Sequence, residues 1–277
     1  MDPRHLELLS RLDGPWVEDP LLLRSAELMR QVALERCSSD GRESTDGCRS
    51  YHAWWQYWRA IGLVSTPDWH VANYADVFAG DRDARVLVSG TADHGVLRHL
   101  AQAGARGPIA VLDLCPTPLE MCSWYASEHL PGPLSTHRAD VLAAPFGEAE
   151  FDLITTYAFL SRFPDPVKER VVAGWRAMLR PGGRVLTTIR LEPEVPMSVP
   201  ELDELSPRLL AAVDDGDPGI LHEVAAAYVR SGSTSHPLRS VEHAHELFAG
   251  FDVTVEIGVL RNRFYEDRDY AVISARL

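Results

Sequence analysis

Three positions in the sequence carry side chains suited to holding a nucleoside. The first is the turn 89–95, "SGTADHG", whose small residues let a backbone come close to a ligand. The second is Asp113, which closes the apolar run "IAVLD" and can accept two hydrogen bonds from a ribose diol. The third is Asp140 in "RADVL", at the end of the next run, placed to meet an adenine edge. An acid at a strand end is commonly a solvated residue or a helix cap. Three such positions in order, at the spacing of successive strands, point to one binding edge.

Such an edge requires strands that all finish on the same side. From Arg85 the chain alternates short apolar runs with stretches whose apolar residues recur every three or four positions. Buried parallel strands and covering helices read that way, so the expected fold is α/β, a doubly wound, mostly parallel seven-stranded sheet. The last two runs, "DVTVEIGVL" and "DYAVISARL", are joined by a short turn and predict a reversed, antiparallel C-terminal hairpin. "LRPGG" reads as the end of a helix whose apolar side is Val171, Val172, Trp175 and Leu179. A helical N-terminal cap over 1–78, interrupted by the loop-like "SSDGRESTDG", precedes the binding domain 79–277, and a mostly polar helical insertion over 192–238 reads as a lid.

With these residues in place, the stretch from Arg85 to Leu277 resembles the class I S-adenosylmethionine-dependent methyltransferases. The resemblance rests on the small-residue turn, Asp113, Asp140, "FDLITT" as fourth strand, "LRPGGRVLTT" leading into the fifth, and the terminal hairpin. It implies S-adenosyl-L-methionine as cofactor. Gly90, Thr91, Ala92, Asp93 and His94 would lie along its methionine part, Asp113 and Leu114 at the ribose, and Asp140 and Val141 beside the adenine. Thr155, Thr156 and Tyr157 would face the sulfonium, with Tyr157 also a candidate catalytic residue.

The resemblance has departures. Val88 stands where the family usually has an acid in the first strand, and Ala92 and His94 replace its second and third glycines. Asp93 is a candidate substitute carboxylate for the cofactor's ammonium group. Two outcomes follow: a tolerated variant that transfers methyl, which is the expected one, or a shifted sulfonium that transfers the 3-amino-3-carboxypropyl group. A protein that only binds the cofactor is a third reading. An NAD(P)-dependent oxidoreductase is a fourth, but it requires G-x-G-x-x-G and a partner such as Tyr-x-x-x-Lys. Lys168, the single lysine, has Pro164 four residues before it. The Asn/Asp-Pro-Pro-aromatic motif of DNA-type amino-methyltransferases is replaced by "TTYAF".

In the cap, "SYHAWWQYWRAIG" puts Tyr51, Trp54, Trp55 and Trp58 on one helical face and His52, Gln56 and Arg59 on another. The aromatic face reads as core packing and the polar face as solvated. The sharper alternatives are that part of the aromatic face closes over the cofactor's sulfonium, with His52 as general base, Arg59 pairing with a substrate carboxylate and Tyr51 as a further substrate-binding residue. His222, His236, His243 and His245 form no metal signature, and the four cysteines form no C-x-x-C pair, so no metal is expected.

The chain has 277 residues, 45% of them hydrophobic, enough for a sizeable core. Its net charge of −13 opposes nucleic-acid partners. No apolar stretch suits a bilayer and the N-terminus lacks a signal-peptide core, so a cytoplasmic protein acting on a small molecule is expected, in natural-product biosynthesis.

Overall fold

The apolar runs at 86–89, 109–113, 151–157 and 185–190 become strands because they offer hydrophobic side chains to both faces of a covered sheet. The computed structural model describes residues 21–37, 45–64, 66–192, 201–213, 217–232, 235–261, 264 and 266–277. Parts of the expected loop at 38–47, of the cap and of the lid lie outside them. The elements begin with α1 (Leu22–Arg36), α2 (Thr45–Ile61), α3 (Val71–Gly80), β1 (Val86–Ser89), α4 (Gly95–Gln102), β2 (Ile109–Asp113), α5 (Pro116–His129) and β3 (Leu134–Arg138). They continue with β4 (Phe151–Tyr157), α6 (Asp165–Met178), β5 (Leu179–Arg190), α7 (Leu202–Ala212), α8 (Pro218–Gly232), α9 (Val241–Leu247), β6 (Asp252–Leu260) and β7 (Arg268–Arg276).

The chain divides into two compact units, one of Met1–Ser65, Met197–Thr234 and Arg261–Asp267, the other of Thr66–Pro196, Ser235–Leu260 and Arg268–Leu277. Helix α3, which crosses the expected boundary between 78 and 79, therefore groups with the sheet.

The sheet unit has strand order β3-β2-β1-β4-β5-β7-β6. β1 to β5 run parallel, while β7 is antiparallel to both β5 and β6, which is the expected reversed hairpin. Every residue of β1 is buried. Helix α6 buries Val171, Val172, Trp175 and Met178, and Trp175 Nε1 donates to Ser89 Oγ at 2.9 Å, fixing the helix against the end of β1. The sequence places Leu179 in this helix and "RPGG" before the fifth strand. In the structure α6 stops at Met178 and β5 starts at Leu179, because the β4–β5 pairing slips between Phe151 and Leu153 and Gly182 turns at φ +80°. Ser240 caps α9 by accepting from His243 N at 3.2 Å.

In the helical unit, Leu22, Ala26, Met29 and Ala33 of α1 are buried at three- and four-residue intervals. Trp58 of α2 donates through Nε1 to the Val224 carbonyl of α8 at 3.1 Å and meets the Tyr228 ring edge-on, 5.4 Å between centroids. The aromatic face is thus packed as core. The polar face is not solvated: His52, Gln56 and Arg59 are buried too, and Arg59 Nη1 donates to Gln56 Oε1 at 3.1 Å.

Candidate cofactor and transfer site

The turn after β1 is closed by backbone and carboxylate together. Gly90, at φ +80°, donates to the Leu112 carbonyl at 2.7 Å and accepts from Thr156 Oγ1 at 2.8 Å. Thr91 N donates to Asp113 Oδ2 at 3.2 Å, and Thr91 Oγ1 to the Asp93 carbonyl at 2.7 Å. Asp93 is buried and its Oδ1 accepts from Gly95 N at 2.8 Å, at the start of α4. His94 turns inward: its ring is buried and stacks on Tyr125 of α5. The bulk that departs from the glycine pattern is absorbed by packing. Cys122 lies under the same loop, its Sγ 3.6 Å from the Asp93 carbonyl, and burial together with the Asp93 and Asp113 charges pushes its thiol pKa well up, so it remains a protonated, packed group.

Asp113 ends β2 half-buried, its Oδ1 accepting from Cys115 N at 2.8 Å while Oδ2 takes Thr91 N. Each oxygen keeps acceptor capacity beyond its one bond. β3 pairs in parallel with β2, Asp113 opposite Arg138, so the loops after both strands emerge side by side. On them Leu114 is 50% and Leu142 36% exposed, large apolar groups without cover. Asp140 is exposed, and its Oδ1 accepts from Leu142 N at 2.9 Å at the start of the short 3-10 turn Val141–Ala143.

At the end of β4, Thr155, Thr156 and Tyr157 alternate across the sheet. Thr155 Oγ1 donates to the Leu186 carbonyl at 2.8 Å and sits 2.6 Å from the Tyr74 hydroxyl of α3. Tyr157 is half-buried, with its hydroxyl 3.5 Å from His99 Nδ1 and hydrogen-bonded to Tyr74 and to the His70 backbone. Desolvation holds the phenols of both Tyr74 and Tyr157 far above the usual range. The His70 ring lies 5.7 Å from that of Tyr157, is fully buried, and its two nitrogens have no well-aligned partner among the described residues. Burial lowers its pKa to about 4, against a smaller opposing pull from the Thr187 backbone, so it is neutral at pH 7.

The structure brings the turn 90–94, Asp113, Leu114, Asp140, Val141 and 155–157 to the carboxyl ends of β1 to β4. Tyr51, His52 and Arg59 belong to the helical unit. Sequence reasoning missed His70 and Tyr74. Their four-residue spacing puts them on one helical face, but nothing in "WHVANY" marks that face as facing the end of β4.

Residues 86–183 match a family model described as a methyltransferase domain. No curated protein matches the chain by sequence. Among solved structures, the chain is similar to an S-adenosylmethionine-dependent methyltransferase from Methanosarcina mazei, with 15% identity and a TM-score of 0.50 over 71% of this chain and 94% of that one. It is also similar to magnesium protoporphyrin IX methyltransferase from Synechocystis with bound S-adenosylmethionine, with 14% identity and a TM-score of 0.50 over 91% and 97%. At these identities the likeness is one of fold.

Proposed function

We propose, for a chain whose core at 86–183 is a methyltransferase domain of the class I S-adenosylmethionine-dependent type, transfer of a methyl group to a small-molecule acceptor. The observation that carries this reading is the clustering of the Gly90 turn, Asp113 and Asp140 on adjacent parallel strand ends, with the turn tied to Asp113 through Thr91 N at 3.2 Å. The residues fit the cofactor. Asp113 has acceptor capacity for ribose hydroxyls, exposed Leu114 and Leu142 offer apolar cover for a base, and buried His70 keeps ring nitrogens without a good internal partner.

S-adenosylmethionine supplies a methyl on a sulfonium, whose departure leaves a neutral thioether. The chain's own contribution is placement and exclusion of water. The Gly90–His94 backbone would lie along the amino acid tail, Asp113 and Leu114 would hold the ribose, and Asp140 and Val141 would flank the adenine. Tyr157 would face the acceptor, with the buried, neutral ring of His70 5.7 Å from its own as a positioning group. The Tyr157–Tyr74–Thr155 hydrogen bonds fix the phenol, so Tyr157 is a positioning group more than a base.

A net charge of −13 works against a polyanionic acceptor and so favours a small molecule; the role proposed for its methylation is natural-product biosynthesis. The inward stacking of His94 favours methyl transfer over aminocarboxypropyl transfer, because the loop's bulk is not turned toward the cofactor.

Incubation of the protein with methyl-labelled S-adenosylmethionine and a metabolite extract tests the reading. Label in a small-molecule product, with S-adenosylhomocysteine formed in equal amount, is expected. Methylthioadenosine in its place would establish the other transfer, and cofactor binding without product would leave a binding protein.

A further inference from the structure

The helical unit holds a cluster that the transfer reaction does not use. Cys37 follows the last residue of α1, and Cys48 and His52 stand four apart on α2, on the same face of that helix. His52 Nδ1 lies 3.3 Å from Cys37 Sγ and 3.5 Å from Cys48 Sγ, and the three ligand atoms all fall within 4.8 Å of one another. Cys37 and His52 are buried and Cys48 is half-buried.

Those separations, which suit thiol–imidazole hydrogen bonds, also suit the edges of a coordination tetrahedron. With metal–sulfur bonds of about 2.3 Å and metal–nitrogen bonds of about 2.0–2.1 Å, tetrahedral angles require sulfur–nitrogen edges of roughly 3.5 Å. The two observed edges match that length. Two thiolates and one neutral imidazole form a donor set that selects a borderline-soft divalent ion such as zinc, and disfavours magnesium or calcium, which take oxygen ligands.

The cluster is also held in place from outside. Arg49 donates from Nε and Nη2 to the Cys37 carbonyl at 3.2 and 2.8 Å, and Cys37 N donates to the Ala33 carbonyl at 3.0 Å. The backbone carrying one thiol is therefore tied both to its own helix and to the helix carrying the other two ligands. Such support orients ligands before the ion arrives.

We infer that Cys37, Cys48 and His52 bind one zinc-type divalent metal ion that clips the end of α1 to α2. Binding displaces the two thiol protons to solvent, and His52 ligates through Nδ1, which gives it a ligand role in place of the general-base role read from sequence. The fourth position is filled by water or a further donor.

The test uses the full chain, purified with a reductant and without chelator. Elemental analysis is expected to find about one zinc per chain. After metal removal, Co²⁺ alone is titrated in, and one equivalent is expected to give thiolate-to-cobalt charge transfer and the intense visible bands of tetrahedral cobalt. Cys48→Ser and His52→Ala, checked as folded by circular dichroism, are each expected to weaken cobalt binding by about 100-fold or more. Cys122→Ala, which changes a thiol of the other unit, is expected to bind as wild type. The inference is overturned by absence of charge transfer at stoichiometric cobalt, by bands that survive in both Cys48→Ser and His52→Ala, or by a Cys37–Cys48 disulfide in protein lysed under thiol-blocking conditions.

Discussion

The imidazole of His94 lies nearly parallel to the phenol ring of Tyr125, 5.1 Å between centroids and 15° between planes. A position where the related loop pattern has glycine is thereby used to anchor the turn to α5. The ring's edge contact with Trp124, at 5.5 Å, completes the packing.

Replacing His94 by Leu, Tyr125 by Leu, and both together should show a coupling energy of about 1 kcal/mol in denaturant unfolding, the size expected of a stacked aromatic pair beyond its buried area. Strictly additive single costs would mean that the rings do not meet in solution.

Asp113 performs two tasks at once, since its oxygens hold Thr91 N and Cys115 N while facing the expected ribose. Asp113→Ala should weaken binding of S-adenosylhomocysteine by roughly 10- to 100-fold, the loss of one charge-assisted hydrogen bond, and lower stability by about 1–3 kcal/mol for the stranded backbone donors. Calorimetry and urea unfolding read the two separately. An unchanged dissociation constant would remove Asp113 from the cofactor site.

The order of these strand-end acids is legible in the amino-acid sequence, because an apolar run followed by a helical period can be satisfied only by a covered parallel sheet, which aligns every strand's carboxyl end. The reversed hairpin is legible from its short connection. His70 is not, since its meeting with Tyr157 joins a helix ahead of β1 to the end of β4, and no local period encodes such a contact. The burial of His52, Gln56 and Arg59 also escapes an amphipathic reading, because α2 is packed by α1 on one side and α8 on another, which a single helix's periodicity does not encode. Cys37 and Cys48 carry no motif spacing; they meet only once the α1–α2 pair closes.

His70 makes stability depend on pH. Its folded pKa of about 4 lies below the ordinary value of 6.5, so between these values the unfolded chain binds more protons than the folded one and stability rises with pH. The contribution is complete above pH 6.5 and is lost as pH falls toward 4. Between pH 7.5 and pH 5 the wild type should lose about 2 kcal/mol more than His70→Gln, which cannot titrate. Equal losses in paired urea titrations would show that His70 is hydrated or hydrogen-bonded in solution.

Gly90 is the position in the turn after β1 where two separate constraints forbid a side chain. Its φ of +80° is strained for any L-residue, at about 1–2 kcal/mol, and a Cβ built on it would sit 2.4 Å from the Phe159 ring. Overlap of that kind typically adds about 1–3 kcal/mol as neighbours shift. Gly90→Ala should therefore cost about 2–5 kcal/mol in the wild-type background. In Phe159→Ala the overlap is gone and only the backbone cost should remain, so the same substitution should cost about 1–2 kcal/mol. Denaturant unfolding of the four proteins gives both values. If Gly90→Ala costs the same with and without the ring, Phe159 does not cover Gly90 in solution, and the loop's glycine is required by its backbone angle alone.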